Sequence, residues 1–316
     1  MDSRQTDPAS SRSRRVLRSG AGAIMAASLA LLTLAGCGTT TTGTGTGTAN
    51  ANCPSSTGWH LVTPGKLTIA SDTTYAPAEY KDPNNPTQFV GYDMDLAREI
   101  AKRLCLTPNI QSATFDSIIP DMSAAPLGQQ KYDMSISSFT INSQRQQKVD
   151  MIPYLTAGES ILVPTGNPKN IKTFDDMCGK TIAVQNGTVE ADEVHDANGN
   201  GPGTSGQAPD CKNMGKPIQI LSYDDQTVVV QQVLSGRADA SYQDQPVTGY
   251  YAKLNSGKLE TGGITVQPSP EGIVVRKDNA PLETAITNAL DSMRKDGTYM
   301  KILSQWGVQD LAYPKS

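Results

Sequence analysis

Strand-like and helix-like stretches alternate along the chain from about residue 66 to its end. Short apolar runs bounded by polar residues are typical of strands, and longer patterns with a period near four are typical of helices. Helical patterns fill several of the gaps between the strand-like runs. The alternation predicts an α/β protein, and the length suffices for two lobes. Six runs fit strands: Lys66–Ser71, Asp133–Ser137, Thr181–Gln185, Ile218–Tyr223, Asp239–Tyr242 and Gly272–Arg276.

Two helices are predicted together with their ends. In Asp93–Leu104 the apolar residues recur every four positions, and Asp93 is a suitable N-cap residue. Pro281–Asp296 has a proline at its start and is followed directly by Gly297. We found no internal repeat in the chain.

The first 36 residues follow a different pattern. Arginines at positions 12, 14, 15 and 18 precede a run of small and apolar residues that closes on Leu34-Ala35-Gly36-Cys37. This order is typical of an export signal, and the run is too short for a membrane span of about 20 residues. The end of the run resembles the lipobox of bacterial lipoproteins, which implies a signal peptide over 1–36 and a lipid on Cys37. The arginine pair leaves Sec and twin-arginine export both open.

Residues 37–52 consist of Cys37 and a string of mainly threonine and glycine. Such a string buries no apolar surface, so we predict a flexible tether with a reach of roughly 20 Å. Cleavage before Cys37 removes five Arg and two Asp, which changes the formal net charge from −4 to −7. An acidic surface disfavours nucleic-acid partners.

Four cysteines lie beyond the tether, and an exported protein is free to pair them. Three pairings are possible. We favour Cys178 with Cys211, which flank a loop, and Cys53 with Cys105, which would join the end of the tether to a helix.

The motifs of metal and dinucleotide sites are missing from the sequence. There is no CxxC or HExxH, and the chain has only two histidines, so a zinc site has almost no support. GPGTSG at 201–206 matches G-x-G-x-x-G, but no strand precedes it and no helix follows it. We therefore expect no cofactor and no metal.

Seven stretches in order resemble the polar amino-acid binding proteins of ABC importers, solute-binding protein family 3. The resemblance covers about Lys66 to Gly307. It implies a periplasmic-binding-protein-like α/β fold of two lobes joined by two crossing hinge strands, with 53–157 in lobe 1, 158–269 in lobe 2, and 270–316 returning to lobe 1 with the C-terminal helices. The stretches are KLTIASDTTYAPAEY, FVGYDMDLAREIAKRL, FDSIIPDM, YDMSISSFTINSQRQQKVDMIPY, GKTIAVQNGT, GRADASYQDQP, and EGIVVRK with MRKDGTYMKILSQWG.

A free amino acid needs a cationic fork for its carboxylate and an anion for its ammonium. Arg145 lies in the first turn of a helix that Asn142 would cap, beside free N–H groups. Thr188 follows a glycine and begins a second helix, which is rich in acidic residues. The resemblance implies that Thr140 and Thr188 join Arg145 at the carboxylate.

The resemblance also implies the groups around the ammonium and the side chain of the ligand. Asp244 and the backbone carbonyl of Ser138 match the ammonium site. A free carboxylate and two amides at the side-chain end favour a ligand that donates hydrogen bonds, such as arginine, lysine, histidine, glutamine or asparagine. Ala78 stands where the family usually has an aromatic residue, which implies a larger pocket. The aligned side-chain positions are Asp72, Tyr75, Phe115, Gln185 and Gln243.

The expected role is a membrane-tethered, extracytoplasmic and monomeric binding protein that delivers an amino acid to an ABC permease. A tethered sensor that presents the liganded lobes to a receptor is an alternative. A second alternative is an enzyme resembling cyclohexadienyl dehydratase. This would require a general acid or base aimed into the cleft, and the pocket positions offer Asp72 but no histidine or lysine. We therefore do not expect an enzyme.

Overall fold

The computed structural model describes residues 53–203, 208–263 and 268–314. The predicted signal peptide (1–36) and the tether with Cys37 lie outside the described residues. The described residues belong to one compact unit, Ala49–Ser316. The strands are β1 (Lys66–Ser71), β2 (Thr74–Tyr75), β3 (Glu79–Asp82), β4 (Asn85–Val90), β5 (Thr107–Ser112), β6 (Met134–Ser135), β7 (Asp150–Ala157), β8 (Glu159–Pro164), β9 (Thr181–Gln185), β10 (Gln219–Tyr223), β11 (Ala240–Asp244), β12 (Leu259–Thr261) and β13 (Ser269–Val275).

Helices lie between most of these strands. None of them, within the ranges that are described, is long and apolar enough to cross a membrane. The helices are α1 (Tyr92–Arg103), α2 (Phe115–Ser123), α3 (Ser143–Lys148), α4 (Val189–Ala197), α5 (Gln226–Leu234), α6 (Gln245–Leu254), α7 (Ala280–Lys295) and α8 (Thr298–Gln305).

Each lobe is built on one five-stranded sheet. The first sheet has the order β5-β1-β6-β13-β7 and the second β10-β9-β11-β8-β12, while β2-β3-β4 form a small separate sheet. In the first sheet β5, β1 and β6 are parallel, and in the second β10, β9 and β11 are parallel. The chain crosses to the second sheet between β7 and β8 and returns between β12 and β13. This arrangement confirms the predicted α/β fold of two lobes with two crossing connections.

Apolar stripes fix the helices against the sheets. In α1 the residues Leu96 and Ile100 are fully buried, and in α7 the residues Leu282, Ile286 and Leu290 are fully buried. These residues recur at helical spacing, so each helix buries one continuous face in the core of the first lobe.

The predicted N-cap of α1 is wrong. The helix begins at Tyr92 after Gly91, and Asp93 lies inside the first turn with its carboxylate fully buried. Gly91 has a φ of 131°, and a Cβ there would lie 1.9 Å from the carbonyl oxygen of Ala78. The backbone at Gly91 therefore passes too close to Ala78 for any residue with a Cβ. The side chain of Asp93, two residues later, is buried in the core.

The other predicted elements match in part. β1 and β9 have the predicted bounds, whereas only two residues of the predicted strand 133–137 are in β6. The sequence reading missed β2–β4, β5, β7, β8 and β12. Several of these strands, such as β5 with its sequence TPNIQS, lack an apolar run. These strands form because they pair with neighbouring strands, and a local sequence pattern does not show which segments will pair.

The structure contains both favoured disulfides. Cys53 is bonded to Cys105 directly after α1, with 5.7 Å between their Cα atoms. Cys178 is bonded to Cys211 in the second lobe, with 5.2 Å between their Cα atoms. The first ties the start of the described chain to lobe 1, and the second closes a segment that contains β9 and α4.

Candidate functional site

The parallel strands bring the candidate residues to one place. Asp72 follows β1, Ser138 follows β6, Thr188 follows β9, and Asp244 ends β11. In α/β sheets the crevice beyond the carboxyl ends of parallel strands is the usual place for ligands. The two sheets direct these ends toward a shared cleft.

A small cavity lies in this cleft. Eight of the ten predicted ligand residues line it, and they come from both lobes. The lining residues are Tyr75, Phe115, Ser138, Thr140, Arg145, Gln185, Thr188, Val189, Glu190 and Asp244.

Arg145 is held at the cavity by its own helix and by the opposite lobe. Its backbone N–H donates to the Asn142 side chain at 2.9 Å, so Asn142 caps α3 as the sequence predicted. Its guanidinium donates to the carbonyl oxygens of Thr140 at 2.7 Å and Gly187 at 3.0 Å. Burial lowers the pKa of Arg145, and nearby acids oppose the shift. An arginine nevertheless stays charged at neutral pH.

Two aromatic rings support the guanidinium. Phe115 and Phe139 stack with 4.2 Å between their centroids, and the Arg145 guanidinium carbon lies 5.4 Å and 5.2 Å from them. A cation over aromatic faces is attracted by the ring quadrupole. Phe115 therefore contacts the cation as well as lining the cavity.

Asp244 supplies the negative group from the second lobe. Its Oδ2 accepts a hydrogen bond from the Tyr75 hydroxyl at 2.8 Å, and its backbone N–H donates to the same hydroxyl oxygen at 3.1 Å. Burial raises the pKa of Asp244 to about 7, while the Tyr75 hydrogen bond and the charge of Arg145 oppose the shift. A cation and an acid from different lobes thus line the same cavity.

Thr188 and Gly187 form the start of α4. The Thr188 hydroxyl accepts from the Ala191 N–H at 3.1 Å and donates to the Gln185 carbonyl at 2.9 Å. Gly187 has a φ of +78°, and a Cβ there would lie 2.7 Å from Cβ of Asp116 in the first lobe. The two lobes therefore approach closely at this glycine.

Ser138 is fixed by a buried acidic network beneath the cavity. It has a φ of +45°, and its N–H donates to Oδ2 of Asp93 at 3.1 Å. Asp93 also accepts from the Tyr154 hydroxyl at 2.8 Å. Nearby, the Ser137 hydroxyl donates to Glu79 at 2.6 Å. Burial raises the pKa of Asp93 to about 7 and that of Glu79 well above its usual value.

Asp72 and Gln243 do not line the cavity. The Asp72 carboxylate accepts from the N–H and hydroxyl of Thr74 at 3.1 and 2.8 Å and from the side-chain amide of Gln185. The Gln243 amide donates to the Thr248 hydroxyl at 2.5 Å. Asp72 thus lies behind Gln185. The side-chain amide of Gln243 is hydrogen-bonded inside the second lobe and does not face the cavity. Burial raises the pKa of Asp72 to about 7, against its hydrogen bonds.

Ala78 does not enlarge the cavity, contrary to the expectation from the sequence. It is fully buried in the core, and its carbonyl accepts a hydrogen bond from the Asp93 N–H at 3.0 Å. The chain at this position packs against Gly91 rather than against the cleft.

The sequence reading missed Glu190 as a cavity residue. It is only 2% exposed, and its Oε1 has no hydrogen-bond partner among the described residues. Burial raises the pKa of Glu190 well above its usual value, and Asp244 and Glu159 add to the shift. The signal was its helical register, because Glu190 shares the buried face of α4 with Ala191, Val194 and Ala197.

Among the residues that the structure describes, no group of three or more His, Cys, Asp or Glu side chains could hold a metal ion.

The comparisons with known proteins agree with this architecture. Residues 67–309 match the family of bacterial extracellular solute-binding proteins, family 3. The chain is 31% identical to the arginine-binding protein ArgT of Corynebacterium glutamicum, over 78% of this chain and 75% of that protein. It is 31% identical to the histidine-binding periplasmic protein of Escherichia coli K12, over 80% of this chain and 91% of that protein.

A solved structure gives the same picture. An ancestral arginine-binding protein bound to arginine superimposes with a TM-score of 0.67 and 33% identity, covering 77% of this chain and 98% of that one. The family match spans most of the two lobes, and two relatives above 30% identity cover most of the chain. The chain therefore belongs to family 3 of the bacterial extracellular solute-binding proteins.

Proposed function

We propose that this protein captures a free amino acid with a cationic or amide side chain and delivers it to an ABC importer. The observation that carries the proposal is the pairing of Arg145 from one lobe with Asp244 from the other at a single cavity. A zwitterion presents a carboxylate and an ammonium, and each finds its complement there.

The ligand is oriented by its two charged groups. Its carboxylate binds Arg145 and the Thr140 hydroxyl beside Thr188 at the start of α4, and its ammonium binds Asp244 and the carbonyl of Ser138. Arg145 is pre-positioned for this role within its own lobe, since its helix cap, the Thr140 carbonyl and two aromatic rings hold the guanidinium in place. Pre-positioned groups lose little entropy on binding.

The side-chain end favours a hydrogen-bond donor. Tyr75 and Phe115 form walls, and Gln185 lines the cavity with the Asp72 carboxylate directly behind it. A long cationic side chain would displace the Gln185 amide and pair with Asp72, and an amide would bond with Gln185 itself. The names of the relatives, which specify arginine and histidine, support a basic ligand.

A ligand can enter the cavity only if the two lobes separate. In the described structure Tyr75 contacts Asp244 and Arg145 contacts Gly187 across the cleft, so the sites for the ammonium and the carboxylate are covered. We infer that the lobes open about the two crossing connections and close again over the ligand, which is the hinge motion of two-lobed binding proteins.

A thermal-shift screen of the twenty amino acids tests the ligand class. Arginine, lysine, histidine, glutamine or asparagine should give the largest increase in the unfolding temperature, because a ligand at a hundred times its Kd adds about 2.7 kcal/mol to stability. Glutamate or leucine as the best ligand contradicts the assignment of the side-chain pocket. No shift with any amino acid contradicts capture as the function.

The membrane anchor belongs to the same proposal. Cys37 becomes the lipidated N-terminus after removal of residues 1–36, and the tether lets the lobes move near the membrane. Cys37→Ser should release the protein from the membrane fraction in its native host, as measured by fractionation and immunoblotting. Unchanged membrane retention in this variant contradicts the anchor and leaves amino-acid binding unaffected.

A further inference from the structure

Glu190 is an acidic side chain at the cavity with no role in the arrangement derived so far. It follows the N-cap Thr188 by two positions and therefore lies in the first turn of α4, where backbone N–H groups point out of the helix. Its side chain lines the cavity with Arg145 and Asp244. The free oxygen Oε1 is buried and has no partner in the described ranges, which is rare for a buried polar atom.

The electrostatics of the cavity require Glu190 to be neutral. Of the lining residues that the structure describes, Arg145 alone is positive, while Asp244 and Glu190 are both acidic. Two buried carboxylates that line one cavity repel each other, so one of them retains a proton. Asp244 is stabilised as an anion by the Tyr75 hydroxyl, whereas Glu190 has an oxygen without a partner. The proton therefore resides on Glu190.

We propose that Glu190 is a ligand-binding residue whose neutral carboxyl group donates a hydrogen bond to the carboxylate of the bound amino acid, beside Arg145 and Thr188. This inference rests on the proposed function and adds one specific contact to it. A neutral carboxylic acid has one O–H donor, and an anionic acceptor makes the resulting hydrogen bond strong. An ionised Glu190 would instead repel that carboxylate and compete with it for Arg145.

The proposal predicts a distinct dependence of affinity on pH. Ligand binding favours the protonated form of Glu190, so this contribution is complete below the pKa of Glu190 in the free protein. It is lost as the pH rises through that pKa, by at most about tenfold in Kd for each pH unit. Other groups around Glu190 also affect its titration: Asp244, Glu159, Glu193, Arg145, Tyr75 and Tyr242.

Three variants isolate the contribution of Glu190 from those of its neighbours. Glu190→Gln keeps a donor and cannot ionise, and Glu190→Ala removes the donor. Glu193→Gln is the matched control, because Glu193 is on the same helix and near the cavity but bonds with Tyr242 instead. The Kd values for arginine, lysine, histidine and glutamine are measured by calorimetry from pH 5.5 to 8.5, with unliganded thermal unfolding as a folding control.

At pH 5.5 we expect Glu190→Gln to bind within about threefold of the wild type. We expect Glu190→Ala to bind at least about tenfold more weakly, since a hydrogen bond to a charged group contributes about 1.5 kcal/mol or more. As the pH rises, the ratio of the wild-type Kd to the Glu190→Gln Kd should increase. Burial raises the pKa of Glu193 to about 8, so Glu193 is neutral at pH 5.5 and Glu193→Gln should bind like the wild type at that pH.

The outcomes separate this inference from the proposed function. If the wild type binds a probe and folded Glu190→Ala binds it equally well, Glu190 makes no contact with the ligand. If Glu190→Gln is much weaker than the wild type at every pH, the ionised carboxylate is the binding form and the inference is wrong. If the wild type binds none of the probes, this result contradicts both the proposed function and the inference that rests on it.

Discussion

Arg145 is the residue on which the proposed binding mode depends most. Arg145→Ala should weaken binding of the best amino acid by about 2–5 kcal/mol, because it leaves the ligand carboxylate buried without its cation. Lys148→Ala is the matched control, since Lys148 is an exposed cation on the same helix and does not line the cavity. Calorimetry measures both. Equal losses in the two variants would mean that general charge, and not the site, attracts the ligand.

Gly187 tests whether the close approach of the lobes matters. Gly187→Ala places a Cβ within 2.7 Å of Asp116 across the cleft, at a φ of +78°. We expect ligand binding to be weaker by about 5- to 150-fold, because a clash at a packed contact costs about 1–3 kcal/mol. Gly179→Ala is the control, with a φ of +77° and its nearest atom, Cβ of Lys216, at 3.5 Å.

The two glycine variants share the backbone strain and differ in the contact across the cleft. Small-angle scattering should show that ligand compacts the wild type and the Gly179→Ala variant but compacts Gly187→Ala less. If both variants lose the same affinity, backbone strain accounts for the effect and closure at Gly187 does not contribute.

At the scale of elements, the disulfide between Cys178 and Cys211 stabilises the segment that carries β9 and α4. The sequence separation is 33 residues, for which the chain-entropy account gives about 3–4 kcal/mol. Cys178→Ala with Cys211→Ala should lower the free energy of unfolding by this amount in a urea titration. Local hydrogen bonds position Thr188, the N-cap residue of α4. Ligand affinity in the folded double variant should therefore change little. A large loss of affinity would show that the disulfide positions the cleft residues.

At the scale of the molecule, buried acids make stability depend on pH. Burial raises the pKa of Asp72, Asp93 and Asp244 from 3.8 to about 7. Between these values the folded protein binds more protons than the unfolded chain, so the free energy of unfolding should fall as the pH rises from about 4 to 7. Asp296, whose pKa is lowered to about 2 by hydrogen bonds from Thr298 and Arg103, acts with the opposite sign but below this range.

Thermal unfolding without ligand across pH 4.5 to 8 measures this dependence. The midpoint should decline with rising pH, and Asp93→Asn should make the decline shallower because the amide cannot ionise. A midpoint that rises steadily over the range would mean that these acids are ionised in the folded protein at low pH.

Several features of the protein were determined by the sequence alone. The order of strand and helix patterns predicted two α/β lobes, because alternation and period are local properties of the chain. The resemblance to the family, carried by motifs in the sequence, pointed to Arg145, Thr188 and Asp244, and these three residues line one cavity. The two disulfides were chosen over the other pairings by their place in the chain.

Tertiary structure decided the features that depend on distant chain segments. Asp93 is a residue type that often caps helices, but its carboxylate is buried and accepts hydrogen bonds from Ser138 and Tyr154, which are distant in sequence. Asp72 and Gln243 match the site in sequence, but their side chains are hydrogen-bonded to Gln185 and Thr248 and do not line the cavity. Glu190 reaches the cavity only because α4 packs with that face inward. Local patterns fix backbone periodicity, whereas burial and partner choice are set by which segments the fold brings together.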